Sequence, residues 1–202
     1  MHAAGQMIKL PEPAHDGKLT VEAAFLGRRS IRNYKQEPLD LKNISQLLWA
    51  AQGITRSGGY RTCPSAGALF PLELLLVAGR IDGLPCGSYR YDCANHSILL
   101  EDDKDIRHDL ALAALGQSMI SRAPATIAIS AIFERTTRRY GERGIRYTYM
   151  EAGHAAQNIH LQAVSLNLGT VVIGAFRDME VKKALGLQTD ESPLLLMPVG
   201  RI

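Results

Sequence analysis

Three arginines stand within five residues of one another in the segment Arg28-Arg29-Ser30-Ile31-Arg32. Guanidinium groups crowded in this way repel each other unless an anion or water separates them. Arginine is the side chain best suited to forked contacts with phosphate, and the Ser30 hydroxyl can add a hydrogen bond. The segment therefore indicates an anion site. These five residues leave open the alternative of a solvated basic helix end that complements the helix dipole.

A second candidate is the segment Pro64-Ser65-Ala66-Gly67-Ala68-Leu69-Phe70-Pro71, which leads into an apolar run. The prolines stiffen the backbone, and Ala66 and Gly67 leave the approach to it free, so a flat ring can lie against it. An ordinary structural turn is the more common origin of such a pattern. The segment overlaps the turn-rich stretch 55–67, which we interpret as a functional loop rather than a linker.

Polar residues interrupt the longest predicted helix in the stretch Glu151-Ala152-Gly153-His154-Ala155-Ala156-Gln157-Asn158. His154 and Asn158 are four residues apart and share a helix face. Glu151, His154 and His160 make a poor metal set, because His160 lies on another face and no fourth ligand is in register. We predict a hydrogen-bonded interior network without metal, and small residues around Gly153 that let another backbone approach.

Two shorter motifs lie nearer the carboxyl terminus. The apolar run 170–173 ends in Ile173, Gly174 and Ala175, and the amide groups of the two small residues can point into a cleft. The chain then closes on Pro198-Val199-Gly200-Arg201, where Arg201 taken alone is a solubilising terminus.

The elements that would position these residues follow from caps and hydrophobic periodicity. Thr20 and Asp40 are candidate helix caps, and Asn95 marks the turn of a hairpin. The predicted helices cover residues 21–26, 41–50, 103–117, 146–168, where Gly169 stops the helix, and 178–185. The predicted strands cover residues 72–78, 88–91, 97–100, 126–129, 170–173 and 194–199. Because helices and strands do not alternate regularly, the fold class is α+β.

Length and composition predict one domain over residues 1–202, with residues 1–18 as an N-terminal extension. The 23 basic and 20 acidic residues nearly balance, which excludes a general nucleic-acid or membrane surface. The three cysteines form no CxxC pair, and the sequence has neither a signal peptide nor about 20 consecutive apolar residues. We therefore expect a soluble protein in the reducing cytoplasm.

Taken in order, the motifs RRSIR, PSAGALFP, EAGHAAQN, VIGAF and PVGR resemble the nitroreductase superfamily. They are most similar to its SagB-type branch, which includes azoline-oxidising dehydrogenases of modified-peptide biosynthesis. The resemblance extends from about Ala24 to Arg201. It implies a central, mostly antiparallel sheet flanked by helices, and a domain-swapped homodimer that clamps FMN at its interface.

The resemblance also implies roles for individual residues. Those that match positions holding the FMN phosphate and polar edge are Arg28, Arg29, Ser30, Arg32 and Arg201. The partner subunit would supply Pro64, Ser65, Ala66 and Gly67. Ile173, Gly174 and Ala175 match positions at the reactive edge of the flavin, and Gln117 matches one at its pyrimidine edge. A nearby arginine and a backbone donor would tune and orient the cofactor.

One departure from the family bears on the substrate. Azoline-oxidising relatives share a Lys-Tyr-Gly element, and the matching residues here are Arg139, Tyr140 and Gly141. A guanidinium stays protonated, so Arg139 cannot replace lysine as a general base, whereas Tyr140 remains a candidate catalytic proton donor. This favours a reductase that passes hydride from NAD(P)H to a small nitroaromatic or quinone in ping-pong turnover. The alternatives are a dehydrogenase that uses oxygen as acceptor and a flavin-binding module without turnover.

Overall fold

The computed structural model describes residues 5–202. The helices are α1 (Val21–Gly27), α2 (Leu41–Gln52), α3 (Arg107–Ala113), α4 (Ser118–Arg122), α5 (Glu134–Tyr140), α6 (Arg143–Ser165) and α7 (Asp178–Leu185). The strands are β1 (Met7–Lys9), β2 (Leu39–Asp40), β3 (Ile54–Arg56), β4 (Tyr60–Arg61), β5 (Leu72–Ala78), β6 (Ile81–Asp82), β7 (Gly87–Asp92), β8 (Ser97–Asp102), β9 (Ala125–Ala131), β10 (Leu168–Thr170) and β11 (Ser192–Arg201).

A seven-stranded sheet forms the centre, in the order β1-β8-β7-β5-β9-β11-β10. Every pair of neighbouring strands in it is antiparallel. The predicted α+β class with a mainly antiparallel sheet is therefore confirmed. No helix within residues 5–202 combines the length and the apolar character that a bilayer crossing requires.

Helices cover both faces of the sheet, because the side chains of a central strand alternate between the faces. On β5, Leu74 and Leu76 belong to the hydrophobic core that includes residues of α2 and α6. Leu75 and Val77 belong to a second core with residues of α3, α4 and α7. Helix α6 thus packs on the sheet face that carries Leu74 and Leu76, and the side of α6 that is turned away from this core is available to the functional site.

Several predicted boundaries are confirmed by local signals. The Thr20 hydroxyl accepts a hydrogen bond from the Ala23 amide at 3.2 Å and caps α1. Asp40 precedes α2 as predicted, but its side chain makes no cap hydrogen bond, because it pairs with Arg201 instead. The predicted hairpin over 88–100 corresponds to β7 and β8, and α7 has the predicted bounds.

Other boundaries were predicted wrongly. The helix expected over 103–117 covers only Arg107–Ala113, because Leu115 and Gly116 take positive φ angles. Helix α6 ends at Ser165, ahead of Asn167 with φ of 55°, so β10 forms over Leu168–Thr170 instead of 170–173. Helices α4 and α5 were not predicted.

The segment 5–18 packs onto the rest of the chain. Strand β1 pairs with β8 at the edge of the sheet, and Leu10 is part of the hydrophobic core. The carbonyl oxygen of Pro11 accepts hydrogen bonds from the Ser45 hydroxyl and from the His96 ring. These contacts anchor the segment above the amino-terminal half of α2.

Candidate functional site

The sheet edge at β10 brings the basic segment and the carboxyl terminus together. Ser30 forms a parallel bridge with Thr170, and the Ile31 amide donates to the Thr170 carbonyl at 2.9 Å. On the other side of β10, Leu168 pairs with Arg201. A Cβ atom on Gly169 would lie 2.7 Å from the Ile31 side chain. Glycine at position 169 therefore allows this close approach, whereas the sequence had suggested a helix stop.

The arginines at this edge differ in their partners. Arg28 is half-buried, and Arg29 and Arg32 are exposed. None of the three forms an ion pair with a carboxylate of residues 5–202, whereas Arg201 pairs with Asp40 at 2.9 Å. Three guanidinium groups within five residues thus lack a counter-charge from the described chain. An anion bound here would remove their mutual repulsion.

A groove leads away from the basic segment along α6. Two cavities share the His160 side chain, which is 5% exposed. The smaller, about 120 Å³, is lined by Arg29, Ile31 and Thr170, among others. The larger, about 280 Å³, is lined by Tyr149, Ala152, Gly153, Ala156, Gln157, Val172, Leu194 and Leu195 as well as His160. His160 therefore borders both cavities, and of the three arginines Arg29 lines the smaller one.

His160 was considered in the sequence only as a metal ligand, and its position in the groove was not predicted. Burial, and then the positive charge of Arg28, lower the pKa of its imidazole. The neutral ring donates a hydrogen bond from one nitrogen and accepts one at the other, and the tautomer decides which nitrogen does which. Only the orientation of α6 against β10 shows that this side chain reaches the groove, so no spacing in the sequence signals it.

The segment after β10 presents free backbone donors. Ile173 exchanges two backbone hydrogen bonds of 2.9 Å with Leu196, which fixes its position. The following residues Gly174 and Ala175 are exposed, and their amide groups have no hydrogen-bond acceptor among residues 5–202. Their amide hydrogens are thus available to a ligand, while their position at the flavin edge stays a prediction.

The Gln117 side chain is hydrogen-bonded to the segment that contains Gly174 and Ala175. Its side-chain amide nitrogen donates to the carbonyl oxygens of Ala114 at 2.9 Å and Ala175 at 2.8 Å. Both amide hydrogens are therefore used within the protein, and only the side-chain oxygen remains for a ligand. The structure places Gln117 next to the predicted site and gives it a positioning role, while its direct contact with a cofactor stays a prediction.

The turn Pro64–Gly67 lies elsewhere, against the first half of α6. The Cys63 thiol lies 3.5 Å from the Glu151 carbonyl oxygen, and the Asn158 side chain donates to the Thr62 carbonyl at 3.4 Å. The Ser65 hydroxyl accepts from the Phe70 amide at 2.9 Å. Pro64, Ser65, Ala66 and Gly67 are absent from the lining of the groove at His160.

Both the turn and the groove lie along α6. The turn lies beside Glu151, and the groove is lined by Ala152 and Gly153 as well as His160, so the two occupy overlapping stretches of the helix without sharing lining residues. Within one protomer the turn therefore does not line the cavities beside the basic segment.

Under the turn, the Glu151 carboxylate is buried and only 2% exposed. Burial raises its pKa, and the opposing effects of the Ser65 hydroxyl and the Gln52 amide are smaller. One of its oxygens and the side-chain nitrogen of Gln52 have no hydrogen-bond partner among residues 5–202. Burial and the neighbouring carboxylate raise the pKa of the Cys63 thiol to about 12, so this thiol is unreactive.

Tyr140 ends α5 directly beside the turn. Its ring packs edge-on against Tyr147 at a centroid distance of 5.2 Å. Gly67 has φ of 61°, and a Cβ atom there would lie 2.8 Å from the Tyr140 hydroxyl. The predicted catalytic residue and the predicted turn are therefore neighbours, and glycine is required between them.

Comparison with known proteins gives a consistent result. The model of the nitroreductase family matches residues 26–201. A proposed nitroreductase of Methanocaldococcus jannaschii is 48% identical over 184 residues, which cover 91% of this chain and 92% of that protein. A crystal structure of a proposed nitroreductase from Ralstonia eutropha JMP134 superposes with a TM-score of 0.86 at 31% identity, covering 100% of this chain and 91% of the other.

A more distant relative belongs to the SagB type. The trifolitoxin operon protein TfxC of Rhizobium leguminosarum bv. trifolii is 25% identical over 213 residues. The alignment covers 97% of this chain but only 60% of TfxC. The chain thus spans less than two thirds of that relative.

Proposed function

This chain belongs to the nitroreductase family, and we propose that it is an FMN-dependent oxidoreductase that works as a homodimer. It would pass hydride from NAD(P)H to a small nitroaromatic or quinone acceptor. The observation that carries the proposal is the set of three arginines, Arg28, Arg29 and Arg32, which lack a carboxylate partner among residues 5–202. Arg29 lines the cavity that shares His160.

The residues present fit FMN. The terminal phosphate carries two negative charges near neutral pH, and forked guanidinium groups bind such an anion well. Ser30 stands in the same exposed segment and can donate its hydroxyl. The groove beyond His160 is bordered by apolar residues such as Ala156, Val172 and Leu195, which suit a flat ring. No GxGxxG turn for a dinucleotide pyrophosphate occurs in the sequence, which favours FMN over FAD.

When bound, FMN supplies two-electron hydride chemistry. The chain binds its anionic end through the arginines and offers the amide groups of Gly174 and Ala175 as fixed donors. Gln117 holds the Ala175 carbonyl, and the bridge between Ile173 and Leu196 holds the start of the segment, so these donors need no reorganisation. Over one cycle, NAD(P)H gives up hydride, and a quinone that gains hydride and one proton becomes a hydroquinone.

The homodimer is proposed because the site is divided within one protomer. The Pro64–Gly67 turn lies away from the arginine groove, so a partner's turn would complete it. Helix α6 also exposes large apolar side chains, among them Tyr149 at 56% and Met150 at 52%. A Cβ atom on Gly153 would meet nothing within 4 Å, which leaves room for a partner's backbone. Burying this face would stabilise a dimer.

A second candidate is a SagB-type dehydrogenase that oxidises its substrate and passes electrons to oxygen. The similarity to TfxC favours it. Arg139 disfavours it, because the guanidinium cannot accept the proton that azoline oxidation releases.

The test is to purify the protein, identify the heat-released flavin by mass spectrometry and measure the mass of the particle by light scattering. We expect FMN, a dimer, anaerobic bleaching by NADPH or NADH, and reoxidation by menadione. A colourless protein, or one that releases only FAD, would refute the proposed cofactor. A yellow protein that neither nicotinamide bleaches would favour the dehydrogenase, and a yellow, active monomer would refute the dimer.

A further inference from the structure

Arginines are concentrated where α5 meets α6, at positions 135, 138, 139, 143 and 146. Two of them are neutralised locally: Arg135 pairs with Glu73 at 2.6 Å and Arg138 with Glu134 at 3.1 Å. Arg139 forms no ion pair and donates no hydrogen bond to any residue of 5–202; its guanidinium lies 5.6 Å from the Tyr140 ring centroid. Its charge is therefore available to a ligand.

Arg139 and Tyr140 present their polar groups at the same point. A Cβ atom on Gly67 would lie 3.4 Å from a guanidinium nitrogen of Arg139 and 2.8 Å from the Tyr140 hydroxyl oxygen. The hydroxyl, like the guanidinium, makes no hydrogen bond within the described chain. Gly67 is exposed and has no side chain to shield them. Two free donors thus converge at an open stretch of backbone.

Resting on the function proposed above, we propose that Arg139 and Tyr140 form an anion subsite, and that a substrate of this enzyme carries a carboxylate or phosphate group bound there. The guanidinium can hold two oxygens of such a group, and the phenol can donate to one of them. Since the Gly67 turn would lie against the partner's flavin, the anion would anchor a molecule that reacts at that flavin.

Two kinds of molecule carry this chemistry in the proposed reaction. One is an acceptor with a carboxylate on its ring, and the other is NADPH through its 2′-phosphate. Either molecule would gain a charge-assisted hydrogen bond with Arg139, which would strengthen its binding roughly ten- to hundredfold. A neutral acceptor, or NADH at the same position, would gain nothing from Arg139.

The experiment compares para-nitrobenzoate with its neutral methyl ester, and NADPH with NADH, in wild type and Arg139→Gln. The matched control is Arg138→Gln, which removes the same charge one residue away from a side chain paired with Glu134. For Arg139→Gln we expect the Michaelis constant to rise about tenfold with para-nitrobenzoate or with NADPH, while the methyl ester, or NADH without the 2′-phosphate, stays within about twofold. With Arg138→Gln, all four substrates should stay within about twofold of wild type.

A binding measurement makes the result independent of turnover. Benzoate is titrated calorimetrically into the flavin-loaded protein without an electron donor. We expect benzoate to bind wild type and Arg138→Gln equally well and to bind Arg139→Gln much more weakly. Benzoate binding that depends on Arg139, in a protein without reductase activity, would retain the subsite and refute the reductase. Equal behaviour of the two variants with every substrate and with benzoate would overturn the subsite and leave the reductase intact.

Discussion

Replacing Arg28 with alanine should weaken FMN binding strongly, because this side chain is half-buried at the sheet edge and has no carboxylate partner within residues 5–202. A hydrogen bond between two charged groups contributes roughly 1.5 to 3 kcal/mol. The dissociation constant of FMN should therefore rise by about 10- to 150-fold. The contact is partly open to solvent, so the loss should shrink as salt is raised.

The assay is titration of the flavin-free protein with FMN, followed by quenching of flavin fluorescence. Arg177→Ala is the matched control, since Arg177 follows the Gly174–Ala175 segment closely but is exposed and paired with Glu180 at 3.0 Å. We expect the control to bind FMN within about twofold of wild type. Equal dissociation constants for the two variants would refute the assignment of Arg28 to the phosphate.

His160 provides an independent reporter of the same charge. Burial and Arg28 both lower its pKa, so Arg28→Ala should raise that pKa, and so should a bound phosphate dianion. A base with a lowered pKa in the folded state takes up its proton more readily when unfolded, so stability falls as pH drops below the ordinary value of 6.5. Arg28→Ala should reduce this loss of stability at acid pH. An unchanged imidazole titration in NMR spectra would show that Arg28 does not act on the groove.

Three further predictions concern the turn and the buried charges. Gly67→Ala should cost about 1–2 kcal/mol in urea unfolding, because φ is 61° and the new methyl group would strike the Tyr140 hydroxyl; an unchanged midpoint would contradict this. Burial raises the pKa of the Glu151 carboxyl, so wild type loses stability as pH rises above 4.5. Glu151→Gln should therefore be at least as stable as wild type at pH 8 and lose that advantage towards pH 4.5. Parallel profiles of stability against pH would refute this. Arg90→Ala should cost about 3–5 kcal/mol in the same unfolding assay, because it leaves the Glu191 carboxylate, 1% exposed, without its cation at 3.0 Å; a cost below about 1 kcal/mol would show that the pair is not needed.

Elements with strong local signals could be predicted from the sequence. Helix α1 begins at a threonine cap, and α7 ends at Gly186, which takes the left-handed conformation that favours glycine. Strand β5 is apolar at every position except Glu73, because both of its faces are covered by helices. In each case residues within one or two turns of the boundary decide it.

Elements whose bounds depend on contacts between distant parts of the chain could not be predicted from the sequence. The bounds of β10 depend on the pairing of Leu168 with Arg201 and of Thr170 with Ser30, which come from opposite ends of the chain. Helix α4 has five residues, too few to show helical periodicity. The position of His160 in the groove depends on how α6 lies against the sheet.

The arrangement of the candidate site also depends on contacts between distant parts of the chain. Its motifs are short and were visible one by one, but RRSIR and Arg201 lie close together only because β10 pairs on both sides at the sheet edge. The same topology places the Pro64–Gly67 turn beside Tyr140 and outside the lining of the two cavities that share His160. In the dimer proposed above, the turn, Arg139 and Tyr140 of a second copy of the chain would complete the site around a flavin held by the arginines.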